Sequence, residues 1–192
     1  AVRSDIMDKA GLNFMTLESE VYPEPVTPKH IGVKEAIEDC INDPEQEKEL
    51  FDYVQNGFQK KWIELLEFNP KKHRKPSDPD FIDINPKRSM FNMIRPAPHL
   101  PCPTLTQRGQ QMSVSGVFHY AKNRKFTIPE LKRLMGLPED FKLTGKLEQR
   151  SERMGRMVPP LMMKARADSI YKKVQLQVCS SCTRRRGNDC YR

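Results

Sequence analysis

The chain contains no apolar run of about 18 residues, the length a helical membrane span requires, so a transmembrane helix is excluded. No basic-apolar leader with a small-residue cleavage site opens it, so secretion has no support. Apolar residues make up only 37% of the 192 positions, which predicts a lean core. Glycine is scarce, nine against sixteen prolines, and no glycine-rich phosphate loop occurs. A His-x-x-x-His pair and a Gly-x-Ser-x-Gly elbow are also missing, which removes the usual zinc-protease and serine-hydrolase readings. Five cysteines is an odd count, so a complete internal disulfide framework is not expected. Cys179 and Cys182 form a C-x-x-C with Cys190 beyond them. Zinc needs a fourth ligand, and His30, His73, His99 and His119 all lie far upstream. No metal site is expected, and residues 179–192 read as a basic tail carrying Arg184, Arg185 and Arg186.

What the chain does have is an uneven charge. Residues 1–54 carry 5 basic and 13 acidic side chains, a balance of −8. Residues 55–120 carry 10 and 5 (+5), and residues 121–192 carry 18 and 7 (+11), giving the net +8. A basic rear fits either a polyanion-binding face or a solvated surface laced with local salt bridges.

Periodicity places the helices. Pro23, Pro25 and Pro28 mark an extended connection. A short helix is expected over Lys34–Ile41, with Val33, Ile37, Cys40 and Ile41 on one face. Asp43 is a suitable N-cap with Pro44 at the first helical position. From there Phe51, Val54, Phe58, Trp62, Leu65 and Leu66 predict one apolar stripe, weakened at Gly57. Trp62 could stack on a nucleotide, but its place on the stripe favours the core. Residues 69–103 hold eight prolines and the basic run Lys71, Lys72, His73, Arg74, Lys75, which suits a binding loop or disorder better than a packed core; the cations could contact phosphates or simply be solvated. Thr127 and Glu130 have capping-box spacing, Leu131, Leu134 and Met135 form an apolar face, and Gly136-Leu137-Pro138 stops the helix. A last helix from Pro159-Pro160 is expected to bury Met163, Ala167, Ile170 and Val174.

Three ordered segments carry a resemblance. The first is Arg95-Pro-Ala-Pro-His-Leu-Pro-Cys-Pro-Thr-Leu-Thr106. The second is Arg124-Lys-Phe-Thr-Ile-Pro-Glu-Leu-Lys-Arg-Leu-Met-Gly-Leu-Pro-Glu-Asp-Phe141. The third is Gly145 followed by Met154-Gly-Arg-Met-Val-Pro-Pro-Leu161. Together they resemble the C-terminal third of DNA (cytosine-5)-methyltransferases: an Arg…Thr-x-Thr segment, an Arg-x-Leu-Thr…Arg-Leu-x-Gly-Phe-Pro segment, and a Gly-Asn-(Ser/Ala)-Val-Pro-Pro turn leading a helix. Ala1–Ile6 also resembles the strand after the family's Gln-x-Arg-x-Arg segment.

The resemblance implies a chemistry. Such enzymes flip a cytosine out of duplex DNA, because the base cannot be reached in the stack. A cysteine adds to C6, and the activated C5 takes a methyl group from S-adenosylmethionine. The family's Phe-x-Gly-x-Gly donor loop, Pro-Cys-Gln nucleophile and Glu-Asn-Val segment do not occur in residues 1–192. Cys102 lies inside the Arg…Thr-x-Thr segment, which argues against a nucleophilic role, so no catalytic residue is expected in this chain.

The implied fold is an α+β fragment of an α/β enzyme: a small target-recognition region, and a C-terminal helix that returns to a Rossmann-like S-adenosylmethionine-dependent domain. The implied divisions are 1–34 (sheet end and Pro-rich connection), 35–120 (target recognition), 121–178 (closing motifs and helix) and 179–192 (tail). Gly155, Arg156, Met157 and Val158 are the expected donor-pocket residues. Lys71, Lys72, Arg74, Lys75, Arg95, Thr104 and Thr106 are the expected DNA-facing ones. The implied partners are duplex DNA and an N-terminal catalytic half, covalent or as a separate subunit, with no membrane. The implied location is intracellular: the cytoplasm or nucleoid of a bacterium or phage-infected cell, or a eukaryotic nucleus. A free-standing basic DNA-binding module and an inactive remnant of the family are the alternatives.

Overall fold

A computed structural model describes residues 22–23, 29–57, 59–66, 69, 71–87, 92–107 and 116–172. The chain divides into two compact units, Lys29–Pro159, and Ala1–Pro28 with Pro160–Arg192. The expected strand at Ala1–Ile6 and the cysteines 179, 182 and 190 lie outside the described residues.

In the larger unit, helix α1 spans Val33–Ile37. Helix α2 spans Pro44–Gln55, and its Asp43 cap accepts the Glu45 N–H at 3.0 Å, as the Asp-Pro start predicts. Helix α3 spans Gln59–Leu65, a 3-10 turn covers Pro79–Phe81, and strands β1 (Met93–Ile94) and β2 (Gly116–Val117) pair in parallel. Helix α4 (Ile128–Met135) has the expected capping box at Thr127 and Glu130. It ends at Gly136, whose φ of 68° is the left-handed conformation that glycine adopts without strain. Helix α5 spans Leu147–Arg156. Among the described residues the arrangement is α+β. None of the described helices is long and apolar enough to cross a membrane.

Two apolar clusters hold this unit together. One gathers Val33, Ile37, Leu50, Val117, Phe126, Leu131, Met135, Leu147 and Met154. The other gathers Val54, Trp62, Ile63, Leu66, Phe81, Met93 and Phe118. Val117 and Phe118 are successive residues that serve opposite clusters, as extended backbone dictates. Leu50 and Val54, one turn apart on α2, divide in the same way. Trp62 is core, as its stripe position suggests.

Four expectations are corrected. The stripe from Phe51 to Leu66 is carried by two helices, because Asn56-Gly57 sets two poor helix formers together and α2 ends there. Phe51 is half exposed; Leu50 takes its place inside. The first helix stops at Ile37, and Ile41, 92% exposed, faces solvent. In the smaller unit, helix α6 (Pro160–Ile170) buries no apolar stripe among the described residues: Met163 is 51% exposed, Ser169 is its one buried residue, and the expected Val174 lies outside the described residues. There the Arg166 guanidinium lies over the Tyr22 ring at 5.3 Å. Helix α5 was not legible from periodicity, since its inner face is Leu147, Ser151 and Met154, with a serine in the middle position.

Candidate nucleic-acid interface

The Arg95–Thr106 segment is pinned at several points. Arg74 and Arg95 exchange backbone hydrogen bonds at 2.8 and 2.9 Å. The Ala97 N–H donates to His73 Nδ1 at 3.1 Å. At the start of α1, Val33 and Lys34 donate their N–H groups to Leu100 O and Pro98 O at 3.0 and 2.9 Å. A β-carbon on Gly32 would sit 2.6 Å from Pro98 O, so only glycine admits this approach.

Arg95 itself is turned inward. It is 4% exposed, and its Nη2 donates to Ile63 O at 2.9 Å and Asn123 Oδ1 at 2.6 Å. Nη1 reaches Tyr120 O at 3.4 Å. Burial pushes the guanidinium down to about 10, which leaves it charged at neutral pH. The expectation that Arg95 faces DNA is therefore corrected: its Nη donors are directed to protein acceptors, and it holds the 120–123 loop in place.

The basic run divides into two kinds of residue. Asn69 Oδ1 accepts the Lys71 and Lys72 N–H groups at 2.8 and 3.2 Å, a local turn that leaves both lysines exposed. Lys72 Nζ lies 3.8 Å from Asp80, a surface pair of little energetic weight. Arg74 is different. Its guanidinium pairs with Asp80 at 2.5 Å and Asp78 at 3.5 Å, and stacks over the Phe81 ring at 4.8 Å. The Arg74 hydrogen bond and the Lys72 charge hold the Asp80 carboxyl below its ordinary value. Arg74 thus braces the Pro79–Phe81 turn, and the free phosphate contact expected of it is corrected accordingly. Lys71 and Lys72 remain exposed and Lys75 half-buried.

Two groups of expected site residues meet at the end of α5. A β-carbon on Gly155 would clash with Thr106 O and lie 2.5 Å from Gln107 N, so the helix backbone rests directly on the Thr104–Gln107 segment. Gln107 Nε2 donates to Glu152 Oε1 at 2.9 Å, and the same Glu152 oxygen pairs with Arg156. Thr104 and Thr106 are exposed, Arg156 is 60% exposed, Met157 packs on the first core cluster, and Val158 is 47% exposed.

A polar network surrounds the start of α4. Arg124, 2% exposed, grips Glu130 with two bonds of 2.8 Å and reaches Glu47 at 2.5 Å. Thr127 N–H donates to Glu130 at 2.9 Å, and Asn42 Nδ2 donates to Glu130 at 3.0 Å. Burial would raise the Glu130 carboxyl, but the Arg124 bonds and charge outweigh it and hold the group low. His119 Nδ1 accepts the Ala121 and Lys122 N–H groups, both at 3.0 Å. Burial pushes His119 down to about 4, aided by Arg124 and Lys122 and opposed by Glu130, so the ring is neutral at pH 7. Sequence reasoning found the Thr127–Glu130 pair but missed Arg124 and Glu47 as partners, which are 77 residues apart.

Cys102 is half-buried, and its burial pushes the thiol up to about 12. A nucleophilic thiolate needs the opposite environment. Among the described residues no cluster of His, Cys, Asp and Glu could hold a metal ion.

The C-5 cytosine-specific DNA methylase family matches residues 10–172, a span that takes in all of these segments. The chain belongs to that family. Type II methyltransferase M1.HphI of Haemophilus parahaemolyticus is 41% identical over 56 residues, covering 29% of this chain and 15% of that protein. Type II methyltransferase M.DdeI of Desulfomicrobium norvegicum is 31% identical over 108 residues, 52% of this chain and 25% of the relative. Type II methyltransferase M.AplI of Arthrospira platensis is 33% identical over 75 residues, 37% and 22% respectively. The matches thus span at most 25% of these curated relatives.

Proposed function

We propose that this chain supplies the target-recognition region and the closing turn of a DNA (cytosine-5)-methyltransferase, working with a Rossmann-like catalytic segment that carries the Pro-Cys nucleophile. The observation that carries the reading is the contact of Gly155 with the Thr106–Gln107 backbone. It seats the closing turn on the Thr-x-Thr segment, so a recognition surface and a pocket edge are built as one piece. Duplex DNA is the substrate, met by Lys71, Lys72 and Lys75 and by the exposed Thr104 and Thr106.

S-adenosylmethionine would supply the methyl group. Gly155, Arg156, Met157 and Val158 would form one edge of its pocket: Val158 is exposed, while the Arg156 guanidinium is engaged by Glu152. Arg156, where the resemblance places a neutral Asn, therefore leans along its own helix. The exposed Leu161 and Met162 of α6 suit burial against the catalytic segment.

The test is equilibrium binding of the chain to a 30-base-pair duplex across a salt series. Replacing Lys71, Lys72 and Lys75 by Ala should weaken binding and lower the log–log salt slope by about one per phosphate no longer neutralised. Wild-type chain that shows no salt-dependent affinity for duplex DNA would overturn the proposal.

A further inference from the structure

The turn that follows the basic loop is built to hold two isoleucines outside. Phe81 and Asn85 are sunk into the protein at 8% and 5% exposure, while Ile82 and Ile84 between them are 41% and 49% exposed. The turn is stiff. Ile82 N–H donates to Pro79 O at 3.1 Å, Ile84 N–H to Phe81 O at 3.1 Å, and Asn85 N–H to Phe81 O at 2.7 Å. Asn85 Nδ2 donates to Pro76 O at 2.9 Å, and the Arg74 guanidinium caps the Phe81 ring. A single surface isoleucine is ordinary. Two on one braced tip, with both shoulders buried, make a preformed apolar edge.

The surroundings indicate what covers it. Among the described residues 71–87, five cations (Lys71, Lys72, Arg74, Lys75, Lys87) face three carboxylates (Asp78, Asp80, Asp83). Asp78 and Asp80 are engaged by Arg74 and Lys72, and no ion pair among the described residues takes up Lys71, Lys75 or Lys87. Asp83, exposed between the two isoleucines, is the one carboxylate of this stretch outside those pairs, and the balance over residues 71–87 stays at +2. Apolar side chains on a net basic stretch are complementary to a groove: phosphates at the rim, base edges within. Isoleucine side chains can touch thymine methyl groups or wedge at a base step. A basic or apolar protein partner would leave those lysines uncompensated.

We infer that Ile82 and Ile84 form a non-ionic reading edge that enters a groove of duplex DNA and contacts base edges between phosphates held by the neighbouring lysines. The inference rests on the reading that this chain binds DNA. Its test separates the two contributions by salt. The chain, the Ile82→Ala/Ile84→Ala pair, the Ile82→Val/Ile84→Val pair and the control Ile41→Ala are titrated against a duplex pool with a randomised core at several salt concentrations, and the bound fraction is sequenced. The alanine pair should bind about tenfold more weakly at every salt concentration, with an unchanged salt slope and a flattened sequence bias. The valine pair should recover most of both, and Ile41→Ala should match wild type. An alanine pair that binds and selects like wild type overturns the inference while leaving the DNA-binding reading intact. Wild-type chain with no duplex affinity overturns both.

Discussion

Gly155 rests on Thr106 so closely that a single added methyl group would overlap the Thr106 carbonyl oxygen and approach Gln107 N to 2.5 Å. The groups met are backbone, which cannot swing aside as a flexible side chain would. The last turn of α5 and the Thr104–Gln107 segment are therefore seated by the absence of a side chain.

Gly155→Ala should destabilise the Lys29–Pro159 unit by about 1–3 kcal/mol, the usual cost of forcing extra volume into a packed contact. Urea denaturation followed by far-ultraviolet circular dichroism measures it. An alanine variant as stable as wild type would mean that the helix does not rest on that backbone.

Glu130→Ala should cost more. It strips the buried Arg124 of its bidentate partner and frees the Thr127 and Asn42 donors, and removal of one member of a buried pair costs about 3–5 kcal/mol. The same denaturation experiment reads the loss. Arg124 keeps only the Glu47 carboxylate in the Glu130→Ala variant, so the double variant Glu130→Ala/Arg124→Met should recover part of the loss by removing the under-paired buried charge; no recovery would show that Glu47 alone suffices to compensate Arg124.

Acid should act through His119. Its folded value of about 4 lies below the ordinary 6.5, so the unfolded chain binds the proton first as pH falls. The contribution is complete above pH 6.5 and is lost as pH drops toward 4, amounting to about 2 kcal/mol between pH 7 and pH 5. Glu130 and Glu47, held below their ordinary values, act in the same direction only below about pH 4.5. His119→Asn, whose amide oxygen can accept the same two backbone N–H groups, should flatten the dependence between pH 7 and 5. An unchanged slope would move the acid-sensitive group elsewhere.

Local signals were the legible ones. The Asp43-Pro44 start, the Thr127–Glu130 box and the Gly136 stop were readable because each depends on residues within four positions of one another. The family was readable because its motifs keep order and spacing. The roles of Arg74 and Arg95 were not, because their partners Asp80, Ile63 and Asn123 are fixed by tertiary approach. The Asn56-Gly57 break was visible as a weak point, but only packing decided that Leu50 rather than Phe51 turns inward.

On the proposed reading, the chain supplies recognition and closure and leaves the nucleophile to another segment. Purified chain is incubated with duplex DNA and S-adenosylmethionine tritiated on the transferable methyl group, and label in the DNA is counted. No incorporation above background is expected from chain that binds the duplex. Incorporation abolished by Cys102→Ser would contradict that division and make the half-buried thiol the attacking group.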